Sequence, residues 1–339
     1  MDKVNSREIW VDDVKVIACI LVAVGHFLMS MIGEPDVFHD NDLCEWFVQA
    51  IYYFHVPLFF ICSGYLYQKL NVIDSWNSWT KNILKKLLVL GVPYLTFSFI
   101  TWGLKVLFSG TVNNQLNGLT ETLFMRPTAP YWYLYSLFFI FLITPTFKDK
   151  NMQMAGIIIS VMFKAVSLTG VNISIYAIST VLSNEIWFVI GMCLHIINFS
   201  ERIKDKIWQK TGITCAVLFI ISSIIVYIFN LSIWGKSFLL GFTACMAVLL
   251  LTAGITNSKQ QNKVFGFLSK YTMPIFLMHT IFAATIRIAL LKIGVYNVFI
   301  HFAAGIGISF MGPIMAAEIM KKIKGLEFFL YPGKFIKIR

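Results

Sequence analysis

The chain has 339 residues, of which 58% are hydrophobic, 16% aromatic and only 13% charged, proportions that exclude an ordinary soluble globular domain. Its formal net charge of +11 would suit a nucleic-acid binder, but the Lys and Arg residues cap apolar runs instead of forming a soluble patch interleaved with aromatics, which argues against that class. The stretches between the apolar runs are too short to build a second core, so residues 1–339 read as one membrane-embedded domain with no appended soluble domain.

In chain order the predicted spans are Val14–Ile32, Phe47–Tyr67, Leu84–Leu107, Tyr131–Phe147, Met152–Leu168, Ser179–Ile197, Gly212–Phe229, Phe238–Ile255, Met273–Leu291 and Val295–Met320. Each is near the length of a hydrocarbon core and must satisfy its own backbone, so the expected fold is an all-α polytopic bundle of about ten spans. Alternate loops differ in charge. One set holds Lys3 and Arg7; Lys69, Lys81, Lys85 and Lys86; Lys148 and Lys150; Arg202, Lys204, Lys206 and Lys210; Lys259, Lys263 and Lys270; and the Lys-rich stretch from Lys321 to Arg339. The other set holds only Lys105, Arg126, Lys236 and Lys292, and its first member carries Glu34, Asp36, Asp40, Asp42 and Glu45. The positive-inside rule then places both termini in the cytoplasm, as an even number of spans requires. The first span is too long for a secretory signal and is expected to stay in the mature protein. The six cysteines show no CxxC pair and no metal-ligand spacing, so they read as small core residues and no metal is expected.

Ionisable residues at membrane depth are costly and mark function by default. Lys15 and His26 lie eleven residues apart in the first span, three helical turns plus roughly 20°, so they share one face about 16 Å apart along the axis. Lys15 then sits near the cytoplasmic surface, where snorkelling is the plain alternative, and His26 in the outer half. Asp12 and Asp13 pair with Lys15 or stay solvated, and Asp13 is the candidate to orient the lysine. In YYFHVPLFFICSGYLY, residues 52–67, Pro57 breaks a helical hydrogen bond, Ser63-Gly64 allows close backbone approach, and His55 falls at about the depth of His26. Lys164 and Glu185 are expected to neutralise each other as a buried pair. Arg287 falls in the outer half of the ninth span, where its functional and snorkelling readings stand side by side, and His279 in the inner third. His195 and His301 read as packing histidines, and His39 as solvated.

Several stretches together resemble acyltransferase family 3, multi-pass membrane O-acyltransferases of bacterial cell-envelope glycans. Asp13, Lys15 and His26 match that family's Asp-x-[Arg/Lys]-x10-His pattern; FHVPLFFICSGY at 54–65 matches its second helix; KNILKKLLVLGVPY at 81–94 matches its basic cluster; Trp132-Tyr133-Leu134 and the IFLxH string ending at His279 match later motifs. The family usually has arginine where this chain has Lys15, which removes bidentate recognition and leaves point-charge attraction. The resemblance implies transfer of an acetyl group from cytoplasmic acetyl-CoA to a sugar hydroxyl of a lipid-linked or surface glycan, at the bacterial cytoplasmic membrane. His26 would deprotonate the hydroxyl or briefly carry the acyl group. Lys15 would hold the CoA side of the thioester with Lys81, Lys85 and Lys86 as its landing site, and Asp13 would complete the catalytic set. His55, Ser63, Trp132, Glu185 and Arg287 would line the acceptor path. The rival from another class is a proton-coupled secondary transporter of a small molecule or glycan precursor, with His26 and Glu185 as its relay.

Overall fold

A computed structural model describes residues 7–32, 34, 37–38, 41–71, 73–108, 117–203, 206–256 and 261–338. Lys3, Asp36, His39, Asp40, Lys204, Lys259 and Arg339 lie outside the described residues. Among those described, every regular element is helical: α1 (Ile9–Ile32), α2 (Asp42–Tyr52), α3 (His55–Leu70), α4 (Trp76–Lys86), a π-helical turn (Leu87–Gly91), α5 (Val92–Leu107), α6 (Trp132–Ile143), α7 (Lys150–Leu168), α8 (Tyr176–Ile196), the short α9 (Phe199–Arg202), α10 (Lys206–Ile228), α11 (Lys236–Thr256), α12 (Lys263–Leu268), α13 (Thr272–Lys292) and α14 (Val298–Lys322). Nine stretches among them are long and apolar enough to cross a bilayer, counting α2 with α3 and α4 with α5 as single stretches.

The tenth expected span departs from its prediction. Helix α6 has only 12 residues, about 18 Å, where the sequence predicts a helix to Phe147. The cause is Pro145, which disfavours helical geometry at Thr144 and ends the helix there. The released backbone is met by side chains: Tyr67 Oη donates to Thr144 O at 2.9 Å, Gln68 Nε2 to Phe147 O at 2.8 Å, and Phe147 N to Gln68 Oε1 at 3.0 Å. Pro57 is expected to break a helical hydrogen bond within the second span, and the structure places the break one turn before that proline. It occupies the first turn of α3, where its missing N–H costs nothing, and the break falls at Tyr53-Phe54, between α2 and α3.

Polar contacts gather at two ends of the bundle. At the end holding the start of α1, Arg7 Nε pairs with Asp12 and its Nη2 reaches Ser269, while Glu8 accepts from Lys69 Nζ at 2.5 Å and from Tyr65 Oη at 3.2 Å. At the opposite end Arg287 Nη1 donates to Ser30 O at 2.9 Å and Glu34 Oε1 at 2.8 Å, and Tyr227 Oη donates to Asp42 and Glu45. The first is called the basic end below, the second the acidic end.

Helices α3 and α8 meet backbone to backbone. A Cβ on Gly64 would collide with the Phe188 carbonyl oxygen, and one on Gly191 with the Ile61 carbonyl oxygen, so each helix supplies a glycine to the other's carbonyl, the small-residue packing that close membrane helices need. Because the obstacle is backbone, it cannot swing aside. Gly64→Ala is expected to cost about 1–3 kcal/mol, seen as a lower thermal midpoint in detergent, whereas Gly103→Ala, whose Cβ would meet nothing, leaves the midpoint in place.

Candidate active site

The site begins with a register. Helices α1 and α13 both run away from the basic end, and the Cys19 thiol contacts the Thr272 carbonyl at 3.5 Å, so α13 starts level with the middle of α1. Seven residues on from each, two turns along parallel helices, come His26 and His279. Their rings stand 5.3 Å apart, centroid to centroid. His279 falls in the inner part of its own span, as expected, and is level with His26 because α13 begins so far into the bundle, of which the sequence gives no sign.

His55 joins them through the helix break. Its Nδ1 donates at 2.7 Å to the Ile51 carbonyl, which also accepts from Phe54 N at 3.1 Å across the break. Tyr52 fills the gap between the imidazoles, with its ring 4.7 Å from that of His55 and its hydroxyl 3.4 Å from His26 Nδ1. His279 is held twice over, its Nδ1 donating to Ile275 O at 2.9 Å and Phe276 O at 3.0 Å. A carbonyl only accepts, so Nδ1 of both rings carries hydrogen and in the neutral ring Nε2 is the acceptor. For His279 that nitrogen is fully buried with no hydrogen-bond partner among the described residues. His26 itself is half-buried.

Along the stripe from His26 toward the basic end, Cys19 and Val22 are buried at 2% exposure, so this face of α1 packs on protein and not lipid. At its far end is Lys15, whose charge acts on Cys62 of α3 and on Lys86. The Lys86 ammonium turns inward over the Phe141 ring, 4.0 Å from its centroid, and lies 5.8 Å from that of Tyr67, a cation–π setting. Lys81 and Lys85 are exposed on the outer face of α4. None of the four has a carboxylate within ion-pair distance among the described residues. They form a cationic cluster without counter-charge.

The remaining predicted residues fall elsewhere. Asp13 accepts from Thr256 Oγ1 at 3.1 Å and from Gln261 Nε2 at 2.7 Å, so it ties α1 to α11 and does not orient Lys15; two residues apart on a helix, the two side chains diverge by about 200°. Glu185 accepts from Thr144 Oγ1 at 2.5 Å, while Lys164 Nζ donates to Ser183 O at 3.0 Å. The expected Lys164–Glu185 pair is absent among the described residues, because the break at Thr144 presents a hydroxyl to Glu185. Ser63 shares a 3.0 Å hydrogen bond with Tyr133 Oη, which also reaches Phe59 O. Trp132 packs partly buried at the edge of the core, and its neighbours Tyr131 and Tyr133 point inward in its place. Arg287 is engaged with Glu34 and Ser30 at the acidic end. His301 contacts the Val295 carbonyl at 2.8 Å and His195 packs against Tyr65, as packing histidines do. No three His, Cys, Asp or Glu side chains among the described residues are placed to hold a metal ion. Sequence reasoning assigns a site role to neither His279 nor Tyr52, although the IFLxH string points at the first.

A relative, nodulation protein NolL of Mesorhizobium japonicum, is 30% identical over 175 residues, covering 50% of this chain and 44% of the relative. NolL of Sinorhizobium fredii is 30% identical over 152 residues, covering 44% of this chain and 38% of the relative. The chain thus spans less than half the length of these relatives. No solved structure matches. The model of a family described as an acyltransferase domain matches residues 8–318, nearly the full length, and the chain belongs to that family, acyltransferase family 3.

Proposed function

We propose that this protein is a membrane O-acetyltransferase of the bacterial cytoplasmic membrane, taking acetyl from acetyl-CoA at the basic end and passing it to a sugar hydroxyl of a lipid-linked or cell-surface glycan arriving from the acidic end. The observation that carries the reading is the pairing of His26 with His279, two imidazoles level with each other and in line with a cluster of cations that lack counter-charge. The positive-inside rule puts those cations in the cytoplasm, where the polyanionic donor is found.

Acyl transfer to a hydroxyl needs a base to take the hydroxyl proton, and imidazole suits that role near neutral pH. The hydroxyl oxygen bonds to the thioester carbonyl carbon, the carbon–sulfur bond breaks, and the proton passes through an imidazole nitrogen to sulfur, releasing CoA as the thiol. In the two-step variant His26 nitrogen first takes the acetyl group and then yields it to the hydroxyl. In both, His279 Nε2 stands ready as an acceptor. Lys15 and Lys86 hold the phosphate-bearing side of the donor by point charge, His55 and Tyr52 border the acceptor side, and Ser63, beside Cys62, lies on the donor side with Lys15. The transporter alternative needs His26 and Glu185 in one relay, whereas Glu185 bonds to Thr144 and no hydrogen bond joins it to the histidines among the described residues.

With labelled acetyl-CoA and a panel of lipid-linked glycans, the purified protein should yield an O-acetylated sugar, located by mass spectrometry. His26→Ala should lower the transfer rate roughly a hundred- to ten-thousand-fold while helical content and yield stay unchanged; undiminished transfer refutes the role. Lys86→Gln should raise KM for acetyl-CoA about ten-fold, the equivalent of about 1.4 kcal/mol, with kcat little changed and the difference shrinking at high salt.

A further inference from the structure

A cavity of about 300 Å³ opens at the basic end between the start of α4 and the Pro145–Lys148 stretch. Trp76 and Trp79 line it, stacked with ring centroids 4.6 Å apart and planes 24° from parallel. Trp76 is 77% exposed. Tryptophans are common at membrane interfaces as single anchors, but these two sit in a cavity that also holds Asp74 and Lys148. The Asp74 carboxyl is held below its ordinary range by hydrogen bonds from Ser78, its own backbone N–H and Ser75, with a smaller contribution from the Lys148 charge. Asp74 and Lys148 nevertheless form no ion pair with each other.

The cavity lies at the start of the helix that carries Lys86. From Trp79 the spacing of three and then four residues leads to Asn82 and Lys86, which share one face of the helix, with Lys86 about 10 Å further along the axis. Asn82 is buried behind the cavity wall, with neither its amide oxygen nor its nitrogen hydrogen-bonded among the described residues. Lys86 in turn lies within electrostatic reach of Lys15. An indole pair and a carboxylate thus line the cavity, and Lys86, with no carboxylate within ion-pair distance among the described residues, follows two turns further along the same helix.

We propose that this cavity is the subsite for the purine base of the acyl donor: the base stacks on the open face of the Trp76–Trp79 pair, its exocyclic amine donates to Asp74, and Lys148 meets the adjoining phosphate. The inference rests on the donor being a purine-nucleotide thioester, as the proposed function has it. A stacking floor tolerates any flat base, and the carboxylate selects one that carries an amine. A zwitterionic lipid headgroup is the competing occupant.

The test uses the full chain in nanodiscs, with ADP as the binding probe and two donors for activity, acetyl-CoA and the S-acetyl ester of pantetheine, which has no nucleotide. ADP should quench tryptophan fluorescence; Trp79→Ala should weaken its binding and raise KM for acetyl-CoA on the order of ten-fold, leave the pantetheine ester's KM unchanged, and be rescued by Trp79→Phe. Inosine diphosphate, with a carbonyl in place of the amine, should bind more weakly than ADP to wild type and no more weakly than ADP to Asp74→Asn. Equal effects of Trp79→Ala on both donors, unchanged ADP binding, or a dependence on headgroup composition instead of ADP overturns the subsite. Retained ADP binding with no acetyl transfer from either donor overturns the proposed reaction and leaves the subsite standing.

Discussion

The contact between the Cys19 thiol and the Thr272 carbonyl marks the constraint on which the site depends: the register of two parallel helices. A slip of one residue in α13 would turn its side chains by about 100° and shift them 1.5 Å, carrying His279 away from His26. The register holds because the segment before α13 is fastened to the start of α1 at several points. Asp13 accepts from Gln261, and Arg7 reaches Ser269, so the acidic residue closest to Lys15 in sequence serves the depth of α13, and the lysine has no carboxylate within ion-pair distance among the described residues.

A second constraint comes from the solvent. Where a helix breaks inside a bilayer, water is not at hand to satisfy the carbonyls it releases, and the protein itself must do so. At Tyr53-Phe54 the Ile51 carbonyl accepts from Phe54 N and, as a second bond, from the side chain of His55; at Thr144 the released groups are met by Tyr67 and Gln68. The His55 bond also fixes which ring nitrogen of His55 is left free. One carbonyl thus serves both the break and the imidazole. Charge is divided along the same axis: carboxylates at the acidic end are engaged by Arg287 and Tyr227, while Lys15, Lys85 and Lys86 are left uncompensated, so an anion gains most near the latter.

Much of this was legible in the amino acids. Apolar length set the helices, Pro57 located the break, Ser63-Gly64 the close approach, and the spacing of Lys15 and His26 the buried stripe. What failed did so for identifiable reasons. Pro145 lies inside an apolar run and hydropathy does not register it, so the sequence predicts too long an α6; Lys164 and Glu185 fall at similar depth in neighbouring spans, which does not show that Thr144 and Ser183 lie closer to each. Helix α6 is apolar on all sides, and periodicity cannot then say whether Trp132 or its tyrosine neighbours face inward. The divergence of Asp13 from Lys15 follows from the helical repeat alone and was open to reading. The level of His279 was not, because it depends on how deeply one helix starts beside another far away in the chain.

The central claim is that His26 and His279 act on the same proton transfer as a unit. A double-mutant cycle on the acetyl-transfer rate tests it most directly, using His26→Asn, His279→Asn and the double variant in the full chain. Residues that work as a unit lose their effect together, so the double variant should be about as slow as the slower single variant. Losses that multiply, or full activity without the His279 imidazole, would contradict the account.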